Sequence, residues 1–105
     1  MNDLLNAIES GKQRGFSKSI SIDGMKYCIG SAIQKYQGKY KAHVYKIKES
    51  NMDSEIFDVC FTRAFLTLDE AIKCIGDNGD IQFNELTILK GQKLFNPKFD
   101  EENET

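Results

Sequence analysis

Apolar positions recur along this chain in two rhythms. Over residues 2–10, Leu4, Leu5 and Ile8 fall at helical spacing, Asp3 sits in the first turn, and Gly11 follows as a stop. From Ser19 the period becomes two. Ile20 and Ile22 alternate with Ser19 and Ser21 and lead into Asp23-Gly24. An Asp-Gly pair between alternating runs signals a tight hairpin, because glycine accepts the positive φ that a type I′ turn requires. The next run, from Met25 to Tyr36, ends at Gln37-Gly38 and is followed by Lys39 to Lys48, a second hairpin of the same kind.

Two-residue turns at these positions predict a register. Ile22 pairs with Met25, Ile20 with Tyr27, Lys35 with Tyr40, Ile33 with Ala42 and Ser31 with Val44. Side chains alternate in a strand, so one face collects Ile20, Ile22, Met25, Tyr27, Ile29, Ile33, Tyr40, Ala42 and Val44. The other face carries Lys26, Cys28, Gly30, Gln34, Lys39, Lys41, His43, Tyr45 and Ile47, with the Tyr45 ring opposite the bare backbone of Gly30.

After a loop at Ser50–Ser54, Phe57, Val59, Phe61 and Phe65 predict a fourth strand. Thr67 with Glu70 three residues later forms a capping box for a helix over 67–76, whose stripe of Leu68, Ala71, Ile72 and Ile75 can cover the sheet. Gly76 is expected to end it. Ile81–Phe83 and Leu86–Leu94 are candidate short strands, the second broken by Gly91. Asn96-Pro97 ends regular structure. The fold class is therefore α+β, an antiparallel meander of four to five strands with the 67–76 helix packed on one face and a short N-terminal helix. Residues 1–95 read as a single domain and 96–105 as an acidic C-terminal tail.

Composition narrows the class. The 105 residues include one His, three Cys and no Trp. Cys28, Cys60 and Cys74 are odd in number and lack C-x-x-C spacing, which points to a reducing, cytoplasmic setting and to small buried hydrophobes. No apolar run approaches the roughly 18 residues of a membrane span, and the first residues lack a secretory pattern. No cofactor or metal is expected, and His43, the lone histidine, is expected at the surface of a strand. No nucleophile-elbow, P-loop, zincin or dinucleotide motif occurs. Asp77-Asn78-Gly79-Asp80 superficially suggests a calcium loop, but the EF-hand spacing would put Cys74 at the first ligand position. A helix C-cap followed by a turn is expected there. The chain is read as a binding protein, not an enzyme.

Charge adds the most. Residues 12–48 hold nine Lys and Arg against one acid, Asp23, whereas residues 49–105 hold thirteen Asp and Glu against five bases. The net charge of −2 conceals this division. One reading is internal, a Lys-rich third strand facing an acidic fourth strand through Glu55 and Asp58. A second is that the acidic half docks on a basic protein, with Asp53, Glu55, Asp77, Asp80 and Glu85 as contacts. A third is that a Lys/Tyr sheet face binds RNA or DNA through Lys26, Lys39, Lys41, His43 and Tyr45.

The order helix–three strands–helix is similar to a double-stranded-RNA-binding domain. That family carries a basic cluster at the start of its last helix, whereas Thr67-Leu68-Asp69-Glu70 is acidic and a fourth strand intervenes. In size, class and the acidic 49–105 half, the chain resembles immunity proteins of bacterial toxin systems, such as contact-dependent growth inhibition. That resemblance implies a cytoplasmic inhibitor that occludes the active site of a toxin domain.

Overall fold

The computed structural model describes residues 2–54, 56–89 and 93–98. The elements are α1 (Asn2–Glu9), β1 (Arg14–Ile22), β2 (Met25–Tyr36), β3 (Lys39–Lys48), β4 (Val59–Phe65), α2 (Leu68–Gly79) and β5 (Thr87–Ile88). Single 3-10 turns stand at Glu49–Asn51 and Phe83–Glu85. The five strands form one antiparallel sheet in the order β4-β3-β2-β1-β5.

Both hairpins adopt the expected turn. Asp23 and Gly24 have φ of 50° and 81°, and Gln37 and Gly38 have 53° and 82°, so both central residues of each turn are left-handed. The predicted register follows: Ile22 faces Met25, Ile20 faces Tyr27, Ser31 faces Val44, Ile33 faces Ala42 and Lys35 faces Tyr40. β1 begins at Arg14, well before the alternation at Ser19, because Arg14 to Lys18 pair with Ile33 to Ile29. β4 is a shorter version of the predicted strand and starts at Val59. Its pairings set Lys41 against Ala64 and Lys46 against Val59, so neither lysine stands directly opposite a carboxylate in the register, and Glu55 of the expected lysine–carboxylate ladder lies outside the described residues. Ion pairs instead join Lys35 to Glu9 of α1, Lys18 to Glu85, and Lys73 to Asp77 within α2.

α2 lies on the predicted apolar face. Ala71, Cys74 and Ile75 pack with Ile29, Ile33, Ala42, Val44 and Phe61, and Ile8, Ile81 and Leu86 complete this core. Full burial of one such aliphatic side chain contributes about 1.5–3 kcal/mol. The Thr67 hydroxyl accepts from the Glu70 amide while the Glu70 carboxylate accepts from the Thr67 amide, so the capping box is formed. Gly76 does not end the helix. α2 runs three residues further, to Gly79, and stops at Asp80, which is left-handed at φ 56° and turns its N–H to the Ile75 carbonyl. A glycine inside a helix costs about 1 kcal/mol, which the buried contacts of Gly79 against Ser31 and Val44 offset. The Asp77–Asp80 run is thus a helix end. Residues 81–83 are not a strand, and among the described residues of the second candidate Thr87 and Ile88 pair, with Gly15 and Arg14. The predicted break at Gly91 and the tail from residue 99 lie outside the described residues, as does Glu55.

The opposite face of the sheet is also covered, and this the sequence pattern did not indicate. The Gln13 side chain reaches residues 94 and 95. Its oxygen accepts from the Leu94 amide at 2.9 Å, and its nitrogen donates to the Phe95 carbonyl at 2.9 Å and to the Gln34 side chain at 2.8 Å. Gln34 in turn donates to the Gly11 carbonyl at 2.9 Å. Segment 93–98 therefore crosses the sheet as a strap. Pro97 within it is buried, as are Ala32, Gln34, Lys41, His43 and Thr62 in the sheet. Among the described residues no helix is long and apolar enough to cross a membrane.

Candidate functional site

Beside the strap, the same face opens into a cleft of about 380 Å³. Alternation and register build its floor. Cys28 on β2 pairs with Ile47 on β3, and Tyr45 on β3 pairs with Cys60 on β4, so all four side chains emerge on one face together with His43. One wall is Met52 and Phe57, which come from the connection between β3 and β4; Leu94 of the strap is another. The edge of Phe57 meets the Tyr45 ring at 84°, with centroids 6.0 Å apart. Phe57 and Met52 remain 42% and 48% exposed, so the cleft opens onto an apolar surface; Ile56, in the same connection, is 60% exposed.

Among the described residues that line the cleft there is no Asp, Glu, Lys or Arg. His43 is 6% exposed, lies parallel to Phe95 and shares a 2.8 Å hydrogen bond between Nδ1 and the Thr62 hydroxyl. Burial pulls its pKa down to about 4 against an opposing contribution from the Phe61 backbone, so the ring is uncharged at neutral pH. The expectation of a surface histidine is corrected: the strap removes it from water. Burial, followed by the neighbouring Cys28 thiol at 3.8 Å, pushes the Tyr45 phenol up to about 12. The Tyr45 ring lies on Gly30 as expected, where any Cβ would collide with it. Of the three cysteines only Cys74 is buried; Cys28 is half-buried and Cys60 exposed, so two of them are cleft residues and not core. Among the described residues no group of three His, Cys, Asp or Glu could hold a metal ion.

The five acidic candidates are distributed over separate elements. Asp53 is exposed in the turn after Glu49–Asn51, and Glu55 lies outside the described residues. Asp77 is bridged to Lys73 at 3.0 Å and Asp80 is exposed at the end of α2. Glu85 is tied into the fold. Its carboxylate accepts from the Gln82 amide at 2.8 Å and meets Lys18 at 3.0 Å, and these contacts hold its pKa below the usual carboxylate value. Asp53 and Asp80 are therefore the acids of this set most available to a partner.

The basic candidates are divided too. Lys26 and Lys39 are exposed, Lys41 and His43 are buried, and Tyr45 is half-buried. The four tyrosines do not share a face, since Tyr27 and Tyr40 lie on the side of α2 and Tyr36 and Tyr45 on the other. Three of them already carry a lysine over the ring: Lys46 on Tyr27, Lys41 on Tyr36 and Lys35 on Tyr40, at 5.0, 5.8 and 5.4 Å. Met52, Phe57, Leu94 and the two cleft cysteines were not anticipated as site residues. A usable signal was present, because residues 49–62 contain four acids and no base, with Met52, Ile56 and Phe57 set among them. Comparison with family models, curated proteins and solved structures yields no match.

Proposed function

We propose that this chain is a non-enzymatic protein-binding module, an inhibitor of the immunity type that docks on a basic toxin domain, such as a nuclease, and occludes its active site. The observation that carries this reading is the connection between β3 and β4. It presents large apolar side chains to water at Met52, Ile56 and Phe57, within a stretch, 49–62, whose sequence holds four acids and no base. Clustered exposed apolar side chains mark interaction surfaces, and surrounding charge of one sign steers and selects a partner of the other. A surface built to accept polyanions is such a partner.

Burial of Lys41 and His43, and the use of Tyr27, Tyr36 and Tyr40 by neighbouring lysines, weigh against a base-stacking role for the sheet. The test is co-expression with the toxin domain encoded beside its gene. Protection of the cells is expected, and it is expected to fail when Asp53 and Asp58 are both replaced by Lys. Absence of protection by the unaltered chain, together with salt-dependent retardation of RNA or DNA in a gel shift, would reverse the assignment.

A further inference from the structure

We infer that the cleft is an anchor pocket for one aromatic side chain of the partner, flanked on one side by lysine or arginine. This deepens the docking reading and rests on it. The cleft's volume of about 380 Å³ lies at the small end of the roughly 300–1,000 Å³ of ligand sites. It is open at the surface, which suits a protruding side chain more than an enclosed small molecule.

The lining dictates the occupant's chemistry. Tyr45 and Phe57 supply aromatic walls, while Ile47, Met52 and Leu94 supply aliphatic surface and a thioether. The polar groups are the uncharged His43, the Tyr45 phenol and the thiols of Cys28 and Cys60. Among the described lining residues no charged side chain compensates a buried charge, which favours an apolar or aromatic inserted group. Aromatic anchors in desolvated pockets carry much of the energy of protein interfaces.

Charge at the rim gives the occupant a direction. The Met52–Phe57 wall belongs to a stretch that holds Glu49, Asp53, Glu55 and Asp58 and no base, whereas the Leu94 wall adjoins exposed Lys93. A cationic flank is favoured on the side of the β3–β4 connection and disfavoured on the side of the strap.

The probe is a capped peptide of one tryptophan followed by three lysines, titrated into the full chain and followed by amide chemical shifts. Shifts are expected at Cys28, Tyr45, Phe57 and Cys60. Affinity is expected to fall about ten-fold or more when the tryptophan is replaced by alanine, or the lysines by glutamates. Cys60→Trp, at an exposed position, should fill the cleft and abolish the difference between the tryptophan and alanine peptides. Asp53→Lys should weaken the tryptophan–lysine peptide and spare the thermal midpoint.

Equal binding of the alanine peptide overturns the anchor. So do shifts confined to Asp77 and Asp80, although the acidic-docking reading would then survive. Binding of free indole as tight as that of the peptide would make the cleft a small-molecule site, and dimerisation through these residues would assign it to a second copy; either result overturns the proposal. Peptide binding as described, with no toxin protection, keeps the anchor and removes only the toxin as the partner.

Discussion

The imidazole of His43 and the ring of Phe95 lie face to face, with centroids 5.3 Å apart and planes 10° from parallel. This stack, with the Gln13 hydrogen bonds, fastens the strap to the sheet and shields the only histidine from water. Its consequence is a pH dependence whose sign follows from the lowered pKa. The unfolded chain takes up a proton at His43 near 6.5, the folded chain only near 4, so the unfolded state binds more protons between these values. Stability contributed by the neutral ring is complete above pH 6.5 and is lost as the pH falls toward 4, by about 3 kcal/mol in all.

Glu9 is held below its usual 4.5 by Tyr40 and Lys35, and Glu85 by Gln82 and Lys18, so their contributions decline only at lower pH. The slope between pH 6.5 and 4.5 therefore belongs to His43. Urea unfolding over this range should show it, and Phe95→Ala should flatten it while moving the His43 titration, followed by NMR, toward 6.5.

Gln13 holds the strap by its backbone. Gln13→Ala removes the partners of the Leu94 amide and the Phe95 carbonyl and leaves Gln34 with one bond fewer. The expected cost is about 1–3 kcal/mol, because buried polar groups lose their partners. Faster hydrogen exchange at Leu94, with unchanged exchange along β3, is the accompanying local signature.

The two glycines of α2 should respond oppositely to alanine. At Gly76 a Cβ meets nothing within 4 Å, so Gly76→Ala should stabilise by about 1 kcal/mol. At Gly79 a Cβ would stand 2.6 Å from the Ser31 hydroxyl and 3.2 Å from Val44, so Gly79→Ala should destabilise by about 1–3 kcal/mol. Adding Ser31→Ala should recover part of that loss. The Ser31 hydroxyl is buried without a hydrogen-bond partner among the described residues, and a double-mutant cycle by denaturant melts measures the coupling.

Gly30→Ala tests the cleft floor. The added methyl collides with the Tyr45 ring, which must leave its place, so stability should fall by about 1–3 kcal/mol. The Tyr45 phenol, now at about 12, should return toward 10 in an ultraviolet titration. With no tryptophan in the chain, tyrosine fluorescence reports the same movement.

Local rules carried the sheet. Asp23-Gly24 and Gln37-Gly38 define turn type, turn type defines register, and register assigns Ile29, Ile33, Ala42 and Val44 to one face. Thr67 and Glu70 likewise mark the start of α2. What stayed illegible depends on contacts distant in sequence. Lys41, His43 and Thr62 look like a solvated strand face until Leu94, Phe95 and Pro97 are laid across it, and no periodicity reports that return. The end of α2 was misplaced for the same reason: Gly76 reads as a stop, yet the helix continues until Gly79 meets Ser31 and Val44. The cleft combines both kinds of information, with a floor set by alternation and walls brought by a loop and the strap.

The strap also orders events in time. Its bonds to Gln13 span 81 and 82 residues, among the longest closures in the molecule. Contacts of such separation form late, since the entropy of closing the loop must be met before they repay it. During synthesis β1 to β4 can pair as each hairpin emerges, but residue 13 waits for residue 95. Until then one side of the sheet, with its central histidine and two thiols, stands open to water, to oxidants and to other chains. The nascent chain is therefore most vulnerable after its meander is complete and before its last crossing is made.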